Sequence, residues 1–243
     1  MPRPPRTGGL PSGRALPLET AELRRELAHF LETSVDDPVT GRKQKIGNYK
    51  FGVYAFYDYD GEPIYVGQTN ERLRTRIRRH LTNQRTDAVA MNVLDSFEVR
   101  FIEVWPLPEH QSRNSDDQEA RTYLNSLEYS VFQHALEQSR FTAILNEKEP
   151  NSTQRVQLPA SHRGTIVSGR VLEIRGHPDI RIARRAATLA RLAQVVSERQ
   201  VQSGLRKTLL TQARRMQWLA ERRYSEVLTT GAADNEQEED DRE

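Results

Sequence analysis

The stretch Phe51–Leu81 constrains the fold of this chain most, because two short runs of β-forming residues are followed there by a basic segment with helical spacing. Phe51–Asp58 is rich in aromatic and β-branched residues, and Pro63–Gly67 is a second such run. The Asp60-Gly61 step between them favours a tight turn. We therefore expect a β-hairpin that leads directly into a helix.

The helix predicted after this hairpin has an apolar row and a basic face. Leu73, Ile77 and Leu81 recur every fourth residue, which predicts one buried side. Arg76 and His80 are also four residues apart, so they share one face beside that row. The hairpin and the helix together would bring a guanidinium and an imidazole close to two strands.

Other elements are expected on both sides of this unit. Apolar residues at helical spacing predict a helix from Thr20, and Val35–Asn48 is expected to be a polar loop. The alternation in Ser96–Val104 predicts a third strand, and Asp117–Ser139 predicts a long helix. Glu128 falls inside the apolar stripe of that helix, where a carboxylate is costly to bury unless a cation or donor meets it.

The C-terminal third is predicted to contain a strand or hairpin in Gly164–Arg175, a helix from Pro178 and a second helix after Gly204. Its basic residues are expected on the outside of the helical pair. Such a pair could bind DNA, form a dimer interface or simply cover the core. The basic residues are Arg184, Arg185, Arg191, Arg206, Lys207, Arg214, Arg215, Arg222 and Arg223.

These patterns divide the chain into four parts. Residues 1–17 are rich in Pro, Gly and Arg and are expected to be disordered. Residues 18–160 are expected to form an α+β domain, a small three-stranded mixed or antiparallel sheet flanked by helices. Residues 161–231 would be an extension with the helical pair. Residues 232–243 hold seven acids and one arginine, which predicts a disordered acidic tail.

Composition narrows the classes of function. The chain has no cysteine, which excludes a disulfide scaffold, a thiolate zinc site and a cysteine nucleophile. The acidic tail has a net charge of −6 and the whole chain has a formal net charge of +2, so the rest of the chain carries +8. This positive charge is suited to a polyanionic partner. We find no secretory signal and no apolar run long enough to span a membrane, and we expect a cytoplasmic protein without membrane contact.

The order of these features resembles the GIY-YIG nuclease family over about Gly52–Asn146. Gly52-Val53-Tyr54 and Tyr65-Val66-Gly67 resemble the two halves of its motif, with valine in place of each isoleucine. The run from Gly67 to Leu107 is similar to the restriction endonuclease branch that cleaves the palindrome CCGCGG. The other positions that match the family pattern are Arg76, His80, Glu128 and Asn146.

The resemblance implies hydrolysis of phosphodiester bonds with one Mg²⁺ per active site, for which Mn²⁺ can substitute. Glu128 would hold the ion, which acts as a Lewis acid, and Arg76 would bind phosphate oxygens. Tyr54 would be the general base and His80 its proton acceptor, since a free tyrosine has a pKa of about 10 and histidine one of about 6.5. Tyr65 would orient water or phosphate by a hydrogen bond.

Asn146 would position phosphate or neighbouring side chains. Each residue also has a structural interpretation: the tyrosines as core residues, Arg76 as a solvated surface cation, Glu128 as the partner of Arg121, and Asn146 as a helix C-cap.

A restriction enzyme of this kind would act on double-stranded DNA as a homodimer or a higher even oligomer, alongside a cognate DNA methyltransferase. Two alternatives stay open: a repair or mobile-element nuclease of the same family, and a catalytically silent DNA-binding protein. Base-reading side chains are expected outside the hairpin. The candidates are Lys43, Lys45, Arg85, Arg113 and Arg155.

Overall fold

The computed structural model describes residues 17–82, 93–146, 148–198, 201 and 203–240, with side chains to residue 229. The predicted N-terminal tail, except Pro17, and Arg85 lie outside these residues. The helices are α1 Leu18–Glu32, α2 Leu73–Thr82, α3 Gln118–Gln138, α4 Gly169–Arg175, α5 Pro178–Glu198 and α6 Ser203–Asp240. The strands are β1 Ser34–Asp36, β2 Lys43–Lys45, β3 Gly52–Tyr57, β4 Pro63–Thr69, β5 Phe101–Pro106 and β6 His162–Thr165. No helix in the described part of the chain could cross a membrane.

The α+β class is confirmed, but the central sheet has four strands instead of three. Its order is β4-β3-β5-β6 and all its neighbours are antiparallel. The fourth strand, β6, comes from the segment predicted as a C-terminal extension. The hairpin of β3 and β4 is present as predicted, with Gly61 at its turn in the left-handed region (φ 75°). The extension is therefore continuous with the sheet that carries the hairpin.

Four local predictions differ from the structure. The predicted polar loop contains the hairpin of β1 and β2. The third strand begins only at Phe101, because Asp95 accepts a hydrogen bond from the N–H of Phe97 and starts a 3₁₀ turn over Ser96–Glu98. After β6 the chain forms α4 instead of a second strand, with the Ser168 hydroxyl capping its first turn. The last helix continues to Asp240, through most of the tail predicted to be disordered.

The two faces of the sheet are covered by different helices. Tyr54 and Phe56 face one side, where the core includes residues of α1, α2, α5 and α6. Val53 and Ala55 face the other side and pack with the apolar stripe of α3. Strand alternation thus sends neighbouring residues of β3 into two separate cores.

Buried ion pairs join the C-terminal helices to the sheet. Asp58, just after β3, accepts hydrogen bonds from Arg185 of α5 (2.9 Å) and Arg215 of α6 (2.6 Å). Arg185 also binds Glu98 at 2.9 Å, and the side chains of Arg185, Arg215 and Asp58 are at most 3% exposed. The prediction that these two arginines lie on the outside is wrong, because each meets a carboxylate that needs a cation in the interior.

Candidate active site

The hairpin places the two tyrosines of the motif on one face. Tyr54 on β3 lies opposite Gly67 on β4, and Tyr65 lies opposite Phe56. The rings of Tyr54 and Tyr65 stack with centroids 6.3 Å apart. A Cβ at Gly67 would lie 2.7 Å from the Tyr54 hydroxyl oxygen, so only glycine leaves room for that phenol.

Helix α2 brings Arg76 and His80 against these rings. Its apolar row is fully or almost fully buried, as predicted, which turns the other two residues toward the hairpin. The His80 ring lies 5.9 Å from the Tyr54 ring and 5.2 Å from the Tyr65 ring, centroid to centroid. The Arg76 guanidinium lies close enough to Tyr54, Tyr65 and His80 to affect the pKa of each.

Helix α3 contributes Glu128 from the opposite face of the sheet. The carboxylate is half-buried and makes no ion pair with any residue that the structure describes. Burial raises the pKa of Glu128 to about 7, against the opposing effects of the Arg76 guanidinium and the Gln68 backbone N–H. Arg121 is exposed and forms no ion pair with Glu128 in the described chain, so the structural interpretation of this glutamate finds no support.

Burial also shifts the pKa of Tyr54 and of His80. It raises the pKa of Tyr54 well above its ordinary value, with Tyr65 adding to the effect and Arg76 opposing it. Burial and the neighbouring Arg76 and Arg79 lower the pKa of His80 to about 4. In the protein without ligand, therefore, the Tyr54 phenol is protonated and the His80 imidazole is neutral at pH 7.

Three buried polar atoms near this cluster have no hydrogen-bond partner of normal geometry in the described structure: Tyr54 Oη, Gln68 Oε1 and Arg76 Nε. Arg76 also forms no ion pair with a described residue. Buried polar groups are usually paired, because each unmet group costs about 1–3 kcal/mol. Their occurrence together is typical of a surface shaped for a polar ligand.

Asn146 has a structural task at the edge of the site. Its side-chain carbonyl accepts from the N–H of Val66 at 3.0 Å, and its amide donates to the C=O of Val66 at 2.7 Å. It lies eight residues beyond the end of α3, so it is not the C-cap of that helix. Asn146 thereby holds the outer edge of β4 between Tyr65 and Gly67.

A polar groove of about 270 Å³ opens beside Arg76. Its lining includes residues that the sequence did not single out, although Gln68 follows the second half of the motif directly. Gln68 Nε2 donates to Asn125 Oδ1 at 2.8 Å across the groove. The lining residues besides Arg76 are Gln68, Thr69, Asn70, Glu71, Arg121, Leu124 and Asn125.

Four of the five predicted base-reading cations can be located, and each has an acidic neighbour. Lys43 pairs with Asp36 and Lys45 with Glu32. Arg113 binds Asp117 and Glu119, and Arg155 binds Glu137. All five pairs are at least partly exposed, where an ion pair contributes little and its carboxylate can be exchanged for another anion.

The chemistry of the site suits a hydrated divalent cation. Within the described residues no cluster of three or more His, Cys, Asp or Glu side chains is present. Glu128 is the carboxylate that acts on the pKa of both Tyr54 and Tyr65, whereas Glu71, which also lies near Arg76, pairs with Arg79. Mg²⁺ keeps several waters and is often bound through only one or two carboxylates plus phosphate oxygens. One carboxylate without an ion pair, beside unpaired oxygen atoms, fits that requirement.

Residues 50–134 match the family model of the GIY-YIG catalytic domain. No match was found among curated proteins or among solved structures. The matched segment includes both tyrosines, Arg76, His80 and Glu128. Residues 50–134 are therefore similar to a GIY-YIG catalytic domain. Such a domain indicates an endonuclease with DNA as its substrate, and nucleases with this domain are generally dependent on a divalent metal.

Proposed function

We propose that this protein is a Mg²⁺-dependent, site-specific endonuclease of the type II restriction kind, which hydrolyses phosphodiester bonds in palindromic double-stranded DNA. CCGCGG is the first target to test. The observation that supports the proposal is the convergence of Tyr54, Tyr65, Arg76, His80 and Glu128 from four elements, β3, β4, α2 and α3. Arg76 and Glu128 lie there without an ion pair to any described residue, whereas the buried arginines in the described part of the chain each have one.

Arg76, Glu128 and Tyr65 would have separate roles in holding the scissile phosphate. Arg76 presents a planar fork of N–H donors, one of which is buried and unpaired, and this geometry matches two phosphate oxygens. Glu128 would hold the metal ion. When bound, the ion would supply Lewis acidity toward the phosphate and stabilise the leaving oxygen. Tyr65 would donate a hydrogen bond that orients the attacking water or the phosphate.

Tyr54 and His80 would move the proton of the attacking water. Water would give a proton to Tyr54 Oη while the phenol passes its own proton to a ring nitrogen of His80. The neutral imidazole has a free lone pair for this proton, and the contact between the two rings supports the transfer. The high pKa of Tyr54 makes its phenolate a strong base, and positive charge near the phosphate is needed to form it.

One active site cuts one strand, so cleavage of both strands of a palindrome requires two copies related by a two-fold axis. We therefore propose a homodimer or a higher even oligomer. A cognate DNA methyltransferase would protect the host's own sites. Asn146 would act on the reaction through the position of β4 rather than by touching the phosphate.

The decisive experiment measures cleavage of plasmid DNA by the full chain with Mg²⁺, with Mn²⁺ and with EDTA, followed by sequencing of the ends. We expect one recurring palindrome at the ends and no cleavage in EDTA. Glu128→Gln should lower cleavage by about a thousandfold, equivalent to ~4 kcal/mol of transition-state stabilisation. Glu173→Gln, at an exposed position on α4, is the matched control.

Each alternative function has its own outcome in this experiment. Binding of duplex DNA by the wild type, without cutting in either metal, would identify a silent DNA-binding protein. Cleavage at scattered or structure-dependent positions would favour a repair or mobile-element nuclease. Full activity of Glu128→Gln would contradict the assigned metal ligand.

A further inference from the structure

A second groove with polar lining residues lies next to the groove that opens beside Arg76. It measures about 430 Å³, and Glu71 lines both grooves. Arg72 directly precedes α2, and its C=O accepts from the N–H of Arg76 at 3.2 Å, so the two residues lie one helical turn apart. The other lining residues are Gln44, Asn48, Lys50 and Gln111.

The walls of the second groove are rigid. The N–H of Leu73 donates to the C=O of Tyr49 at 2.9 Å, which joins the start of α2 to the segment after β2. A Cβ at Gly47 would lie 2.9 Å from the Leu31 backbone oxygen, so α1 packs closely on this segment. A rigid support of this kind fixes the side chains that it presents and lowers the entropy cost of binding.

Two lining residues, Lys50 and Gln111, form hydrogen bonds within the wall of the groove. The N–H of Lys50 donates to Gln111 Oε1 at 2.6 Å, and Lys50 Nζ donates to the C=O of Arg113 at 2.6 Å. Gln111 Nε2 donates to the C=O of Leu107 at 2.7 Å. These side chains have their principal donors and acceptors occupied, so they support the groove rather than a ligand.

Three other lining side chains are free. Gln44, Asn48 and Arg72 make no side-chain hydrogen bond or ion pair with any residue in the described ranges. Gln44 differs in this from its neighbours Lys43 and Lys45, which point to the other face of β2 and pair with carboxylates. The groove therefore combines rigid walls with unoccupied amide and guanidinium groups.

These groups are the kinds that read base edges. Asparagine and glutamine amides donate and accept at once, and arginine donates two bonds to guanine, whereas phosphate needs donors only. We propose that Gln44, Asn48 and Arg72 are specificity-determining residues that contact base edges beside the scissile phosphate. This inference rests on the proposed action on duplex DNA. The duplex would run from the groove beside Arg76, past Glu71, into the second groove.

Selection of binding sequences tests this inference separately from cleavage. The full-length wild type, Gln44→Ala/Asn48→Ala and Arg72→Ala would each select duplexes from a randomised DNA pool in EDTA. Ends of cleaved plasmid libraries would be sequenced with Mg²⁺. Arg78→Ala, an exposed position on the same helix, is the charge-matched control. Thermal unfolding verifies that each variant is folded.

We expect the groove variants to lose preference at particular base pairs, by about tenfold or more at each affected position, in both readouts. Arg78→Ala should keep the wild-type sequence preference even where overall affinity falls. An unchanged consensus in both groove variants, or a wild type that selects no sequence, would overturn the inference. A wild type that selects a sequence but does not cut DNA would instead contradict the proposed function and leave this inference testable by selection alone.

Discussion

The candidate active site and the interface of the C-terminal helices both enclose charged side chains, but only at the interface are these charges paired within the described protein. At the interface Asp58 accepts from two arginines and from the backbone N–H groups of Asp60 and Glu62. In the candidate active site Arg76 and Glu128 form no ion pair with a described residue. Buried charges that are paired inside the protein serve the fold, whereas buried charges left unpaired indicate a ligand that completes them.

Breaking the interface should have the largest effect on stability. Asp58→Asn leaves Arg185 and Arg215 buried without their shared carboxylate, and we expect a loss of about 3–5 kcal/mol in the free energy of unfolding. Urea titration of the full chain would measure it. Asp36→Asn, which removes an exposed pair with Lys43, should change stability by well under 1 kcal/mol. Equal losses in both variants would remove the contrast between the two regions.

Arg76→Ala should have the opposite effect, a large loss of cleavage without a loss of stability. We expect cleavage to fall by about 100- to 1000-fold, since a donor to the phosphate is lost. The free energy of unfolding should stay the same or rise, because an unpaired buried charge is removed. The matched measurements are cleavage under single-turnover conditions and urea titration. A large loss of stability would show that Arg76 supports the fold instead.

The buried imidazole of His80 predicts a pH effect on stability. Its folded pKa of about 4 lies below the ordinary value of 6.5, so between these values the unfolded chain binds a proton that the folded chain does not. Stability should therefore fall as the pH is lowered, by about 2 kcal/mol between pH 7 and pH 5. His80→Asn should lose this component, and His29→Asn, at an exposed position, should keep it. Parallel curves for wild type and His80→Asn would contradict the assignment.

Asn146→Ala should produce the smallest of these effects on stability, about 1–2 kcal/mol, because it removes two hydrogen bonds to Val66. Cleavage should also fall, since the edge of β4 carries Tyr65. A positioning role predicts a lower rate of chemistry with DNA affinity close to wild type, which single-turnover cleavage and anisotropy titration would separate. Loss of affinity without a change in rate would indicate direct contact with DNA instead.

Local patterns predicted the hairpin, α2 and α3 because each has its own spacing of apolar residues. The motif residues could be found for the same reason, since Tyr54, Tyr65 and Arg76 lie within one short stretch. The task of Asn146 depends on an edge strand 80 residues earlier in the chain, so it could not be read from its neighbours. Nothing in the periodicity of α5 and α6 distinguishes Arg185 and Arg215 from the exposed arginines beside them.

The same long-range pairing explains why the sheet was predicted with too few strands. β6 is short and polar, and it is recognisable only through its pairing with β5. Free side chains in the second groove are likewise a property of packing, because Gln44 and Lys43 are adjacent in sequence and differ only in the face to which they point.

The ion pairs of Asp58 also bear on how the protein matures during synthesis. Its two arginines follow it by 127 and 157 residues, so a chain that is still being translated cannot complete this junction until Arg215 has left the ribosome. The hairpin that holds Tyr54 and Tyr65 is made well before the helices that brace it. Until α5 and α6 emerge, Asp58 has neither of the cations that it meets in the folded protein.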